Sequence, residues 1–187
     1  MKELEELKHL IRLKEVERRG EVGDRRESTA EHTWACMILA DHFIKMVKQP
    51  LDELKVMKII MYHDLVEVEC GDVFILDTEA RKNKKVDEKN GSRILADKIP
   101  ASISKDFLDF FEEFEACETP EAKFAMAMDK MEPIIHWSVY STKKLKSLGW
   151  NEEVIRKTKE KYMEPFPELL KFFNDWIEHM KEEGYIE

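Results

Sequence analysis

Apolar residues along the chain recur mostly three or four positions apart, beginning with Leu4, Leu7 and Ile11. That is the spacing of one buried helix face. Strand-like alternation of β-branched residues is missing and glycines number six, which leaves little for a sheet. The pattern predicts an all-α chain of about seven helices, over roughly 2–18, 29–48, 51–70, 79–98, 102–116, 120–147 and 151–183, the last broken at Pro165 and Pro167. Several starts are marked chemically. Ser28 and Glu31 are spaced for a capping box, in which hydroxyl and carboxylate satisfy free amides reciprocally. Thr119 precedes Pro120, a cap residue before a proline at the first helical position. Asn151 caps Glu152 and Glu153, placing acid at a helix's positive end. The polar stretch 78–91 reads as a solvated helix start or a loop, while Trp34, Met37 and Met46 sit at core spacing.

At 187 residues one domain spanning 1–187 is the expectation. The net charge of −9 argues against a nucleic-acid partner, which needs a basic surface. No apolar run reaches the ~18 residues of a membrane span, so no membrane partner is expected, and the N-terminal segment lacks the features of a secretory signal. Three scattered cysteines, Cys36, Cys70 and Cys117, form no CxxC, so neither a disulfide framework nor a zinc ribbon is indicated and a reducing cytoplasm is the simplest compartment.

One stretch departs from this pattern. The segment MYHDLVEVECGD, 61–72, carries His63, Asp64, Glu67 and Asp72 on a half-apolar helix ending near Gly71. Buried faces exclude carboxylates unless these are paired or hold a cation. One imidazole beside one carboxylate is a poor metal site, so other helices must contribute. His32 lies in the first turn after the capping box, and Asp129 lies inside the apolar run FAMAMDKMEPII. Two imidazoles and two carboxylates make a mixed N/O set suited to one divalent ion: Mn, Co, Ni, Fe, Zn or Mg. Glu67 and Asp72 remain free to move protons. Each piece has a bland alternative: HD dipeptides arise by chance, His32 can be a surface residue, and Asp129 can pair with Lys130 or Arg156.

The ordered set AEH at 30–32, HDLVEVECGD at 63–72 and AMAMDKME at 125–132 resembles the HD-domain metal-dependent phosphohydrolases, most closely the 5′-deoxynucleotidase and oxetanocin-like branch. The resemblance is strongest over 8–145, with the helices of 151–183 packing on that part. It implies a single HD-domain helical bundle, a nucleotide substrate and a homodimer. It also implies that His32, His63, Asp64 and Asp129 hold the metal, and that Glu67 and Asp72 are catalytic or touch substrate. The stretch LKEVERR at 13–19 is similar to the family's arginine-bearing end of helix one, which makes Arg18 the phosphate ligand. Enterobacterial members place tryptophan next, against the ribose 2′-hydroxyl; here Arg19 takes its place, and because the following loop is short Arg25 or Arg26 could substitute as the phosphate ligand. No histidine lies between Asp64 and Asp129, where dinuclear HD enzymes carry extra ones, so one ion is favoured.

The resemblance thus implies a 5′-nucleotidase acting on (deoxy)nucleoside monophosphates. A triphosphate or pyrophosphate hydrolase on the same scaffold would want further cations in the pocket, with Lys82, Lys84 and Lys85 as candidates. A non-catalytic helical module with a structural ion is the reading from another class. His9, His42, His136 and His179 are expected on the surface or as satisfied core residues, and Trp137 and Tyr140 as packing residues rather than base contacts.

Overall fold

A computed structural model describes residues 1–74 and 77–187. In chain order it contains helix α1 (Lys2–Ile11), strands β1 (Glu17–Val22) and β2 (Arg25–Ser28), and helices α2 (Thr29–Phe43), α3 (Glu53–Tyr62) and α4 (Glu67–Cys70). Helices α5 (Lys84–Lys98), α6 (Ala101–Ala116), α7 (Pro120–Tyr140) and α8 (Glu152–Ile155) follow. A π-turn over Arg156–Glu160 then leads into α9 (Lys161–Met163) and α10 (Pro167–Glu182). The all-α expectation holds with one correction, a small antiparallel hairpin.

The hairpin replaces the end of the expected 2–18 helix. After α1 and a 3₁₀ turn at Arg12–Glu15 the chain extends, and Val22 pairs with Arg25 across Gly23–Asp24. Gly23 has φ +62°, and a glycine-led two-residue turn of this kind matches the right-handed twist of paired strands. Arg18 therefore lies on a strand, not on a helix. A Cβ on Gly20 would lie 3.0 Å from both Glu27 Oε2 and His136 Nε2, so any larger residue there would press on both side chains.

The marked helix starts form as expected. Ser28 accepts from the Glu31 amide while the Glu31 carboxylate accepts from the Ser28 amide at 2.9 Å. The Thr119 and Asn151 side chains accept from the Ala122 and Val154 amides. The ends are less legible: α2 stops at Phe43 rather than 48, and α7 at Tyr140 rather than 147. The expected 51–70 helix breaks after Tyr62, because the next amides bond three residues back, Glu67 N to Asp64 O at 3.0 Å among them. Gly71, at φ +75°, ends α4 as the sequence suggested.

Helix α7 is central, packing on α2, α3 and α6. One core cluster joins α2, α3 and α7 to the C-terminal helices through Phe43, Phe124, Met128, Phe166 and Phe173. A second gathers Leu13, Tyr62, Leu95 and Phe107 around α4 to α6. Met37 packs against the first cluster. Trp34 and Met46, expected in the core, are exposed at 66% and 46%: the inward face of α2 runs through Thr29, His32, Cys36, Ala40 and Phe43, and Met46 lies in the turn beyond its end. No helix among the described residues is long and apolar enough to cross a membrane.

Candidate metal centre and its pocket

The site forms where α2, the turn after α3 and the middle of α7 converge. The His32 and His63 rings lie 5.6 Å apart, both buried. His32 Nε2 is 3.2 Å from Asp129 Oδ1 and 3.7 Å from Asp64 Oδ2, and His63 Nε2 is 3.1 Å from the same Asp64 oxygen. His63 Nδ1 donates to the Ile60 carbonyl oxygen at 2.7 Å. That bond assigns the proton to Nδ1 and leaves a lone pair on Nε2. Nε2 is buried and, among the described residues, makes no hydrogen bond. A buried lone pair aimed at carboxylate oxygens is costly unless a cation completes the set. The donors fit one divalent ion. Cys36 Sγ also lies near, 3.5 Å from His32 Nε2, but burial pushes its thiol up to about 11, so it offers a neutral sulfur beside ionised carboxylates.

An outer layer orients these groups. His32 Nδ1 meets Glu132 Oε2 at 2.7 Å, the carboxylate–histidine arrangement that fixes a ligand ring. Glu132 Oε1 is 3.9 Å from His136 Nδ1, which is 3.3 Å from Glu27 Oε1. Glu27 Oε2 lies 3.3 Å from Arg18 Nε. Arg18 Nη1 completes the ring, 3.5 Å from Asp64 Oδ2 and 3.7 Å from Asp72 Oδ1. Buried charges thus run without a gap from His32 to Arg18 and back to Asp64.

The environment separates the carboxylates. Burial raises Glu67 well above its ordinary range, and the Asp64 and Asp72 charges add to this; Thr29 Oγ1 donates to Glu67 Oε2 at 2.8 Å. Asp72 is raised by burial, with Arg18 opposing. Against the same burial, Lys130 with His32 holds Asp129 down, and Asp64 is lowered as well. Lys130 Nζ is 2.6 Å from Asp129 Oδ2. One carboxyl able to give a proton stands beside carboxylates that stay ionised. That is an acid–base arrangement.

A cavity of about 290 Å³ opens on the site, lined by Arg18, Asp64, Glu67, Asp72 and Asp129 and also by Trp137, Leu148, Trp150 and Lys159.

The sequence profile of the HD domain family matches residues 10–170. The chain belongs to the HD domain family. Among curated relatives, the 5′-deoxynucleotidase HDDC2 of Bos taurus is 26% identical over 140 residues, 73% of this chain and 67% of that protein. The 5′-deoxynucleotidase hdd1 of Schizosaccharomyces pombe is 28% identical over 142 residues, 72% of this chain and 70% of that protein. In fold, the chain is similar to the "predicted metal-dependent phosphohydrolase" of Magnetospirillum magnetotacticum, with TM-score 0.87 and 23% identity, covering 99% of this chain and 94% of that one. An HD-domain phosphohydrolase of Listeria innocua gives TM-score 0.67 and 18% identity, covering 96% and 90%.

The HD-domain pair His63–Asp64 therefore meets His32 and Asp129 in space, with Glu67, Asp72 and Arg18 around them. Arg19 stands exposed at the pocket mouth, 5.3 Å over the Phe74 ring. Arg26 lines the cavity and donates to the Arg19 carbonyl oxygen, whereas Arg25 is turned to Glu31 at 2.8 Å. Of the three lysines named with the triphosphate alternative, Lys84 lines the cavity, paired to Glu88; Lys82 pairs with Glu79 and Lys85 is exposed. Arg156 pairs with Glu152 and Glu160 rather than Asp129. His136, expected to be bland, belongs to the ring of charges.

Glu27, Glu132, His136 and Lys159 were missed. Glu132 and His136 were detectable in principle: with Asp129 they repeat at i, i+3 and i+7 inside an apolar run, one face of one helix. Lys159 replaces an apolar residue in the buried series Ile155, Lys159, Met163. Glu27 had no local signal, because only the hairpin turns it inward.

Proposed function

We propose that this HD-domain chain is a divalent-metal-dependent phosphohydrolase that removes the 5′-phosphate from (deoxy)nucleoside 5′-monophosphates, acting as one domain over residues 1–187. The observation that carries the reading is the lone pair of His63 Nε2, without a hydrogen bond beside Asp64, with the Arg18 guanidinium held between Asp64 and Asp72. A cation site and an anion site thus share one carboxylate. The relatives named 5′-deoxynucleotidase support the same substrate class.

His32, His63, Asp64 and Asp129 would hold the ion. A bound divalent cation lowers the pKa of its water toward ~7 and polarises a phosphoryl oxygen. Arg18, kept charged by Asp64 and Asp72 despite burial, binds the phosphate, and Glu27 fixes its Nε so that the fork presents its terminal nitrogens. Glu67, raised by burial and by the Asp64 and Asp72 charges, would supply the proton to the departing 5′-oxygen, and Asp72 would accept one from the attacking water. A homodimer accords with the exposed apolar face of α1, formed by Leu4, Leu7 and Ile11; free cysteines accord with a cytoplasmic setting.

The test is a panel of nucleoside mono-, di- and triphosphates assayed with each of several divalent metals. Inorganic phosphate from monophosphates is expected. Pyrophosphate from triphosphates would transfer the reading to the alternative, and no product with any metal would leave a non-catalytic module.

A further inference from the structure

Lys159 is 2% exposed and lines the cavity. Its Nζ donates to the Lys130 carbonyl oxygen at 3.2 Å. Among the described residues it has no other hydrogen-bond acceptor and no carboxylate within ion-pair distance. Its remaining surroundings are aromatic: Nζ lies 5.0 Å from the Trp137 ring centre and 6.0 Å from that of Trp150. The two indoles pack on each other with centres 4.4 Å apart. Burial, reinforced by the Lys130 charge, lowers this ammonium to about 7, so its position costs stability. It sits in the π-turn Arg156–Glu160, an irregularity that recurs at functional sites. Unlike Lys84, Lys130 and Lys144, which also line the cavity, it is not neutralised by an acid.

An ammonium offers donors only. Among the described residues, two of its three N–H groups lack a protein acceptor, and the two indoles stand beside them in a cavity also lined by Pro133 and Leu148. A planar, apolar-faced ligand with an acceptor at its edge satisfies both. Among nucleobases, a keto oxygen meets a donor, whereas an exocyclic amine is itself a donor and is rejected. We infer that the aromatic end of the cavity is a nucleobase subsite in which Lys159 donates to a keto oxygen, making it a specificity residue for keto-base nucleotides. This rests on the nucleotide reading above and deepens it.

The test compares deoxyinosine monophosphate, deoxyadenosine monophosphate and 2-deoxyribose 5-phosphate as substrates of the wild type and Lys159→Met. Methionine keeps length and apolar contact and removes the donor. A hydrogen bond from a charged donor corresponds to roughly 10- to 100-fold. The wild type should prefer the inosine substrate, and the variant should lose about that factor in kcat/KM on it. Losses on the other two should stay within about twofold. A separate measurement on the wild type needs neither turnover nor a variant: quenching of indole fluorescence by deoxyinosine should occur at lower concentration than by deoxyadenosine. Equal loss on all three substrates would show that Lys159 meets the phosphate, and no loss or no wild-type preference would show that it meets nothing on the base. Each overturns the inference. If no substrate releases phosphate, the nucleotidase reading fails, and the quenching comparison alone decides the subsite.

Discussion

The two ends of the cavity handle buried charge in opposite ways. At the metal end, Asp64, Asp129, Glu132 and Glu27 face His32, His136, Arg18 and Lys130 within 4 Å of one another, so nearly every charge has a counter-charge. At the aromatic end one ammonium, Lys159, faces two indoles and a carbonyl oxygen. A compensated network holds geometry, since removing one member strands its partner. A lone charge offers a vacancy for a ligand atom and is paid for in stability. The difference separates the part of the pocket built for chemistry from the part suited to choosing a substrate.

The largest effect should come from breaking the metal end. Asp64→Ala removes an oxygen shared by His32, His63 and Arg18, so metal content by mass spectrometry and phosphate release should fall together to background. Near-normal turnover by the metal-depleted variant would end the metallohydrolase reading. Glu67→Gln should keep the metal and lose roughly 10²–10⁴-fold in kcat, because glutamine holds the Thr29 bond but carries no exchangeable acid proton. A parallel fall in bound metal would make Glu67 a ligand instead.

At the other end the expected sign is reversed. Burial disfavours the charged form of Lys159, taking it from 10.5 to about 7. The unfolded chain therefore holds more protons between those values, and stability rises with pH across that window. Lys159→Met should stabilise the fold at pH 7 by on the order of a few kcal/mol. That advantage should shrink as pH climbs toward 10.5. Urea midpoints of both proteins at pH 7 and pH 10 check this; a variant less stable at pH 7 would show that the ammonium is compensated after all.

Smaller effects concern the rim and the frame. Arg19 is exposed and flexible beside Phe74, and steric rejection of a 2′-hydroxyl needs a rigid wall. Ribo- and deoxyribonucleoside monophosphates should then differ by no more than about tenfold in kcat/KM, under ~1.4 kcal/mol. Arg19→Trp should widen the gap toward deoxy substrates, and a hundredfold wild-type preference would place the wall elsewhere. Ser28→Ala should cost about 1 kcal/mol in thermal or urea unfolding, since it removes the cap that starts α2 four residues before His32. A loss of metal affinity larger than the loss of stability would mean that the cap also sets the ligand's position.

What could be read along the chain follows from how far each signal reaches. The caps at Ser28, Thr119 and Asn151 act within three residues and form as the pattern required. The ligand candidates were legible because His and Asp in apolar helical runs are costly without a purpose. Helix ends were not legible where tertiary contacts overrode spacing: the residues after Phe43 and Tyr140 keep apolar periodicity but leave the helix. Trp34 looked like a core residue because apolar character alone does not say which side of α2 meets α7, and Met46 because the helix was expected to continue past it.

By itself, the sequence determined an all-α chain and its main helix starts, from interactions between residues a turn apart, while its resemblance to the HD-domain family supplied the candidate ligands. The tertiary structure alone decided that Glu27, Glu132 and His136 close a ring from His32 to Arg18, that Arg18 reaches the site from a strand, and that Lys159 enters the same cavity. Those relations join residues 100 or more positions apart, as His32 and Glu132 or Glu27 and His136 are. Charges so far apart in the chain meet only when packing brings them together, and no local periodicity carries that information.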